Sequence, residues 1–168
     1  MKAFVVSRLV RAAAFGLAFV LSPMSPAIAA GPFDMVLAAG VACPDFPLRV
    51  QSTATPDTRE FRDNDGNLVR TIAAGRGAQL TFTNQANGNT LKLMANGSVT
   101  RVTFNPDGTQ LWVTTGHNVL ILFPTDVPAG PSTTLYVGRV VFTVDGAGVF
   151  TLLGTSGKAT DICAVLSN

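Results

Sequence analysis

The chain has 168 residues, of which 47% are hydrophobic, and its 12 basic and 10 acidic residues give a net charge of +2. Three of the basic residues, Lys2, Arg8 and Arg11, precede a short apolar run, which leaves nine basic and ten acidic residues for the rest of the chain. A net charge close to zero there gives no reason to expect nucleic acid or an anionic membrane as a partner.

The first 29 residues have the organisation of a secretory signal. The basic residues are followed by an apolar run over 12–21, and Ala27-Ile28-Ala29 supplies a small-x-small cleavage pattern. The run is too short to cross about 30 Å of hydrocarbon as a helix, so we expect no membrane anchor in the mature chain. We therefore predict that residues 1–29 form a cleaved signal peptide and that the protein is secreted and extracellular.

The chain has two cysteines, Cys43 and Cys163. Outside the cell the environment is oxidising, and two cysteines without other partners favour a disulfide. The alternatives are two buried free thiols, or a lipid anchor on Cys43, since Gly40-Val41-Ala42 precedes it. We predict the disulfide, which in the chain-entropy description would stabilise the fold by about 4–5 kcal/mol.

Beyond Cys43 the hydrophobic pattern has a period of two, as in Gln79–Thr83, and no segment keeps a helical period. Turn signals rich in Asn, Asp and Gly separate the short runs, because these residues adopt positive φ readily. The predicted turns are Asp63–Asn67, Asn87–Asn89, Asn96-Gly97, Asn105–Gly108, Gly116–Asn118 and Asp145-Gly146. This spacing predicts an all-β domain over 43–168, an antiparallel sandwich or barrel of about 8–10 short strands built from hairpins. Residues 30–42 form either a flexible leader or an edge segment.

Three segments differ from the simple hairpins. Val119–Phe123 is apolar at every position, which indicates a strand covered on both faces. Gly138-Arg139 suggests a β-bulge inside the apolar strand Leu135–Val144. Pro124–Ser132 contains three prolines and a glycine, so we predict a long, stiff crossover loop there, which is a place where function can lie.

No motif specifies a catalytic site, a metal or a cofactor. His117 is the only histidine, and its neighbours Gly116 and Asn118 favour a turn residue over a member of a catalytic triad. Asp63–Asn67 resembles the start of a calcium loop, but Gly66 is at the fourth position where an EF-hand has its glycine at the sixth. We predict a turn stabilised by its own Asx side chains, and neither metal nor cofactor.

Four residues are candidates for ligand binding: Trp112, His117, Asp126 and Tyr136. The strand pattern places Trp112 opposite to Leu111 and Val113. Trp112 therefore either faces solvent as a ligand platform, or faces the core, or is covered by the Pro-rich loop. We expect any site where this loop meets His117 and Trp112.

Several short stretches together resemble an uncharacterised family of small secreted actinobacterial proteins. They are Cys43-Pro44, Arg59-Glu60-Phe61, Asp65–Arg70, Asn105–Gly108, Thr115–Asn118, Phe123–Pro131 and Gly157–Leu166. The resemblance covers most of the mature chain and implies a secreted protein with paired end cysteines. It implies no activity and no catalytic residues.

The sequence therefore favours a secreted non-catalytic β-domain with a binding or structural role, and an extracellular glycan or cell-envelope component as a partner. One alternative is a secreted hydrolase or carbohydrate-active protein that uses His117, Asp126 or nearby carboxylates. Another is a small-ligand carrier with a cavity inside a barrel.

Overall fold

A computed structural model describes residues 32–53, 57–74, 78–94 and 97–168 of the protein. The signal predicted over 1–29 and Asn96 of one predicted turn lie outside these residues. The described chain is all-β, as predicted, and its two antiparallel sheets pack as a sandwich and not as a closed barrel. The elements are β1 (Phe33–Leu37), β2 (Leu48–Ser52), β3 (Asp57–Arg62), β4 (Leu68–Ala74), β5 (Gln79–Asn84), β6 (Thr90–Met94), β7 (Val99–Phe104), β8 (Gln110–Leu122), β9 (Ser132–Val144), β10 (Phe150–Asp161) and α1 (Ile162–Ser167).

The smaller sheet has the strand order β1-β2-β5-β6. Its centre follows the period of two, since Leu48, Val50 and Ser52 of β2 are buried and the residues between them are half-buried. In the described part of residues 30–42, β1 forms an edge strand of this sheet, paired with β2 along its whole length.

The larger sheet has the order β10-β9-β8-β7-β4-β3. Its hairpin turns use their own side chains, as the sequence predicts. At the β3–β4 turn, Gly66 adopts φ 86° and the Oδ1 atom of Asp63 accepts the backbone amides of Asp65 and Asn67. Asp145 accepts two amides of the β9–β10 turn in the same way.

The turn predicted at Gly116–Asn118 is wrong, and so is the role of His117 as a turn residue. Strand β8 runs through these positions, with Gly116 opposite Gly138 of β9, which in turn lies opposite Gly157 of β10. These glycines have φ 85°, 153° and 90°, which the ladder accommodates without interruption. The glycine that resembles a turn signal here is instead one of three paired glycines at which a Cβ atom would meet backbone at 2.0–2.2 Å.

The bulge predicted at Gly138-Arg139 is also misplaced. Both neighbours of β9 keep their register through these residues. The irregularity lies on the facing strand, where the pairing of β10 with β9 shifts between Leu152 and Gly154. Position 138 requires glycine for a different reason: a Cβ atom there would lie 2.0 Å from the carbonyl oxygen of Ser156 on β10.

The interior consists of two cores on opposite faces of β8. Val119 and Ile121 pack into the first core, which is centred on Leu48, Val50 and Phe82 of the smaller sheet. Leu120 and Leu122 belong to the second core, with Phe142 and Phe150 of the larger sheet. The prediction that this apolar run is covered on both faces is confirmed.

The Pro-rich segment is not a crossover. It joins β8 to β9, which are antiparallel neighbours, and folds back to the start of β10. There Val127 forms a short parallel bridge, accepting the amide of Leu152 and donating its own amide to the carbonyl of Phe150. The Pro-rich segment thus pairs with β10 at Val127.

The predicted disulfide between Cys43 and Cys163 is present, with the two Cα atoms 5.6 Å apart. It ties the loop before β2 to α1, the single six-residue helix of the described chain. The carbonyl of Leu166 in this helix accepts hydrogen bonds from the side chains of Asn84, Asn87 and Asn89 in the β5–β6 turn. Within the described ranges, no helix has the length and apolar character needed to cross a bilayer.

Candidate functional site

Asp126 is the anchor of the Pro-rich segment. It is 4% exposed, and its two carboxylate oxygens accept the backbone amides of Phe123 at 2.6 Å and Phe150 at 2.9 Å. These bonds join the end of β8 to the start of β10. The side chain that was a candidate for ligand binding therefore holds the loop in place.

Trp112 faces the second core. It is half-buried and stacks on Phe142 with ring centroids 5.6 Å apart, and Phe142 stacks on Phe150 in turn. Its indole Nε1 donates to Oε1 of Gln110 at 3.0 Å. Of the alternatives left open by the sequence, the structure shows the core-facing one, which makes Trp112 the outer member of an aromatic stack.

Tyr136 is half-buried beside the same core, opposite Asn118 in the register of β8 and β9. Asn118 accepts a hydrogen bond from the hydroxyl of Ser98 at 2.8 Å. Tyr136 thus lies near a small polar group. It packs against the second core together with Trp112, whereas His117 lies on the opposite face of β8.

His117 is exposed and lines a groove of about 320 Å³ at the open end of the first core. The register explains the floor of this groove. His117 lies opposite Val137, which lies opposite Lys158, and the next row along is Val119, Leu135 and Thr160. Residues in register on antiparallel strands share one face, so these two rows form a continuous surface. The groove forms where the smaller sheet no longer covers this surface.

The opposite wall of the groove comes from β5 and β6. Leu80 and Leu93, which are paired across these strands, are half-buried and pack against the first core. Lys92 and Met94 complete the lining, and both are exposed. Leu80, Leu93, Val119, Leu135 and Val137 therefore give the groove aliphatic walls.

Every charged side chain that lines the groove is a cation. Lys92 and Lys158 line it together with His117 and the hydroxyl of Thr160, whereas none of its lining residues is an aspartate or glutamate. The chemistry available is binding of an anion beside an apolar surface. A catalytic triad would also need a carboxylate beside His117, and the residues that line the groove supply none.

Sequence reasoning identified His117 but missed Lys92 and Lys158. These lysines are 66 positions apart in the chain and meet at the groove through the pairing of β8, β9 and β10 and the packing of β6 against them. The sequence contains part of this information. His117 directly follows Gly116 and Lys158 directly follows Gly157, and both glycines pair with Gly138.

The calcium-like turn at Asp63 is self-contained, as predicted. Hydrogen bonds from Asn67, first through its side chain and then through its backbone amide, hold the pKa of the Asp63 carboxyl below its usual range. Asp63 thereby stays ionised as an acceptor for its own turn. Among the described residues, no group of three or more His, Cys, Asp or Glu side chains is placed to hold a metal ion.

No family model matches this chain, and neither a curated protein nor a solved structure matches it.

Proposed function

We propose that this protein is a secreted, non-catalytic binding domain whose groove takes a small amphipathic anion, an aliphatic chain that ends in a carboxylate. The observation that carries the proposal is the lining of the groove, with Lys92, Lys158 and His117 beside aliphatic walls. Secretion through residues 1–29 is part of the proposal, and the disulfide between Cys43 and Cys163 is compatible with it.

The two parts of the lining suit the two parts of such a ligand. Apolar ligand surface buried against Leu80, Leu93 and Val119 gains about 25 cal/mol per Å². An ammonium group then adds a charge-assisted hydrogen bond to the carboxylate, which is stronger than a neutral one. A groove of about 320 Å³ is at the small end of ligand sites, so it suits one short chain.

The other two functions considered from the sequence find less support. A hydrolase built on His117 and Asp126 needs these side chains together, but Asp126 is buried with both oxygens bound to backbone amides. A carrier with an internal barrel cavity needs a closed barrel, and the two sheets pack as a sandwich. The groove offers a binding surface between the sheets instead.

The test is calorimetric titration of the purified protein with decanoate, with decan-1-ol and decyltrimethylammonium as probes of the same length. Decanoate should bind more tightly than either. The double variant Lys92→Gln, Lys158→Gln should weaken decanoate binding at least about tenfold, since a charge-assisted contact contributes about 1.5–3 kcal/mol. The control is Arg49→Gln, Arg62→Gln, which removes the same charge away from the groove and should leave binding unchanged.

Equal affinity for decanoate and decyltrimethylammonium would contradict the proposal, because it would show that charge plays no part. Unchanged decanoate binding in the lysine variant would contradict it as well. Circular dichroism of both double variants verifies that each is folded, so that a loss of binding is assigned to the groove.

A further inference from the structure

The cations of this chain are not evenly distributed over its surface. Within the described residues two arginines form ion pairs, Arg49 with Asp34 and Arg62 with Glu60. Four more, Arg59, Arg70, Arg101 and Arg139, are exposed and form no ion pair there. All four lie on strands of the larger sheet, namely β3, β4, β7 and β9.

The register places these four arginines on one face of the sheet. Arg59 lies opposite Ile72, and Ile72 lies opposite Arg101. Arg70 is two residues from Ile72, so it points to the same side of β4. Arg101 lies opposite Val113 and Val113 opposite Val141, which is two residues from Arg139. We call the surface formed by Arg59, Arg70, Arg101 and Arg139 the arginine face.

The two faces of these strands differ sharply. Val102, Thr114 and Phe142, which alternate with the residues of the arginine face, are buried. On the arginine face, half-buried aliphatic side chains such as Ile72 and Val113 separate the exposed guanidinium groups. The arginine face is therefore the solvent-exposed side of this part of the larger sheet.

The spacing of the charges follows from sheet geometry. Arg70 is a diagonal neighbour of both Arg59 and Arg101, about 7–8 Å from each between backbone positions. Arg59 and Arg101 are in one row two strands apart, about 10 Å. Like charges held this close repel one another and are stabilised by a ligand of opposite charge.

Little negative charge on this face offsets the arginines. According to the strand register, one acidic residue lies on the arginine face: Asp57, at the start of β3, opposite Ala74 of β4. Glu60 points to the other side of β3 and pairs with Arg62. The remaining acidic side chains of the larger sheet are mostly in turns, where Asp63, Asp107 and Asp145 accept hydrogen bonds within their own loops.

We propose that the arginine face binds an acidic polysaccharide, a repeating chain that carries carboxylates. Guanidinium groups bind carboxylates through two parallel hydrogen bonds, and an array of them about 7–10 Å apart suits a polymer with repeating charges. The residues of the arginine face differ from those that line the groove at His117, and the proposal does not depend on the ligand proposed there.

Two other polyanions fit the arginine face less well. Proteins that bind single-stranded nucleic acid present aromatic platforms for the bases. On the arginine face the register places Phe61, and its ring is covered by the guanidinium of Arg59 at 5.1 Å. Membrane-binding surfaces are rich in Trp and Tyr, and Trp112 faces the buried side of the sheet.

The test is binding of the purified protein to immobilised polygalacturonate, with neutral dextran as the reference surface. Polygalacturonate should bind, dextran should not, and binding should weaken steeply as salt increases. The double variant Arg70→Gln, Arg101→Gln should lose at least about tenfold in affinity. The variant Arg59→Gln, Arg139→Gln tests the same face independently, should the first variant not fold.

The matched control is Arg49→Gln, Arg62→Gln, which changes the net charge equally but leaves the arginine face intact. Equal losses in the control and the face variants would overturn the proposal, because they would show an effect of net charge alone. Failure of the wild-type protein to bind polygalacturonate would also overturn it. So would tighter binding to a DNA oligonucleotide or to phosphatidylglycerol vesicles.

Discussion

The carboxylate of Asp126 in the Pro-rich segment accepts the backbone amide of Phe150 at the start of β10 at 2.9 Å, although the two residues are 24 positions apart. Its second oxygen accepts the amide of Phe123. Asp126→Ala would leave two amides without acceptors, one of them in a buried residue. We expect a loss of about 2–4 kcal/mol in the free energy of unfolding, measured by denaturant titration.

Asp145 provides the control for this measurement. It also accepts two backbone amides, of Ala147 and Val149, but it is exposed. Water can replace it, so Asp145→Ala should cost no more than about 1 kcal/mol. Equal losses in the two variants would show that burial of Asp126 adds nothing.

The glycine row is expected to tolerate no side chain. At Gly138 a Cβ atom would meet the carbonyl oxygen of Ser156 at 2.0 Å, and φ is 153°. Gly138→Ala should lower the free energy of unfolding by about 3 kcal/mol or more, because backbone must move on two strands. In Gly146→Ala the Cβ meets no atom within 4 Å, so stability should stay within about 1 kcal/mol of the wild type.

Two buried threonines should respond in opposite directions to replacement by valine. Thr114 is 6% exposed and its hydroxyl has no hydrogen-bond partner among the described residues, so Thr114→Val should raise the melting temperature. The hydroxyl of Thr133 donates to the carbonyl of Ala42 at 2.9 Å, so Thr133→Val should lower it. Thermal unfolding of the two variants side by side checks the pair, and a shift of both in the same direction would contradict it.

Acid should destabilise the fold through its exposed aspartates. Hydrogen bonds from Asn67 lower the pKa of Asp63, those from Thr109 lower the pKa of Asp107, and those from Arg49 lower the pKa of Asp34. A carboxyl whose pKa is lower in the folded state than the usual 3.8 binds fewer protons when folded. Its contribution is therefore present at neutral pH and is lost as pH falls below about 4 and through the folded pKa.

Melting temperatures between pH 6 and pH 2 measure this effect. Asp63→Asn keeps an oxygen acceptor but removes the titrating group, so its melting temperature should depend less on pH than that of the wild type. An identical pH profile for the two proteins would show that the Asp63 turn does not contribute.

Local chemistry made much of the fold predictable from sequence. Asp63–Asn67 and Asn105–Gly108 combine an Asx side chain with a glycine, which favours a tight turn stabilised by its own hydrogen bonds. Gly116–Asn118 has the same composition but continues a strand. The difference lies in Gly138 and Gly157, which are distant in sequence and become neighbours of Gly116 only when the strands pair.

The candidate surfaces were less predictable for the same reason. The net charge of a sequence does not show where its cations lie in the fold. Here four arginines lie on one face because of the pairing of β3, β4, β7, β8 and β9. Lys92 and Lys158 likewise meet at the groove through pairing and packing of strands distant in sequence. A shift of one residue in register would turn each side chain to the opposite face, so only the correct pairing reveals either surface.

The division of β8 between two cores bears on how the protein unfolds. Consecutive residues, Val119 with Ile121 and Leu120 with Leu122, pack into different interiors, so one segment of backbone supports both. Separation of β8 from either core would withdraw packing from the other. Two cores joined in this way should lose their structure together, in a single cooperative transition, and neither should persist as a partly folded remnant.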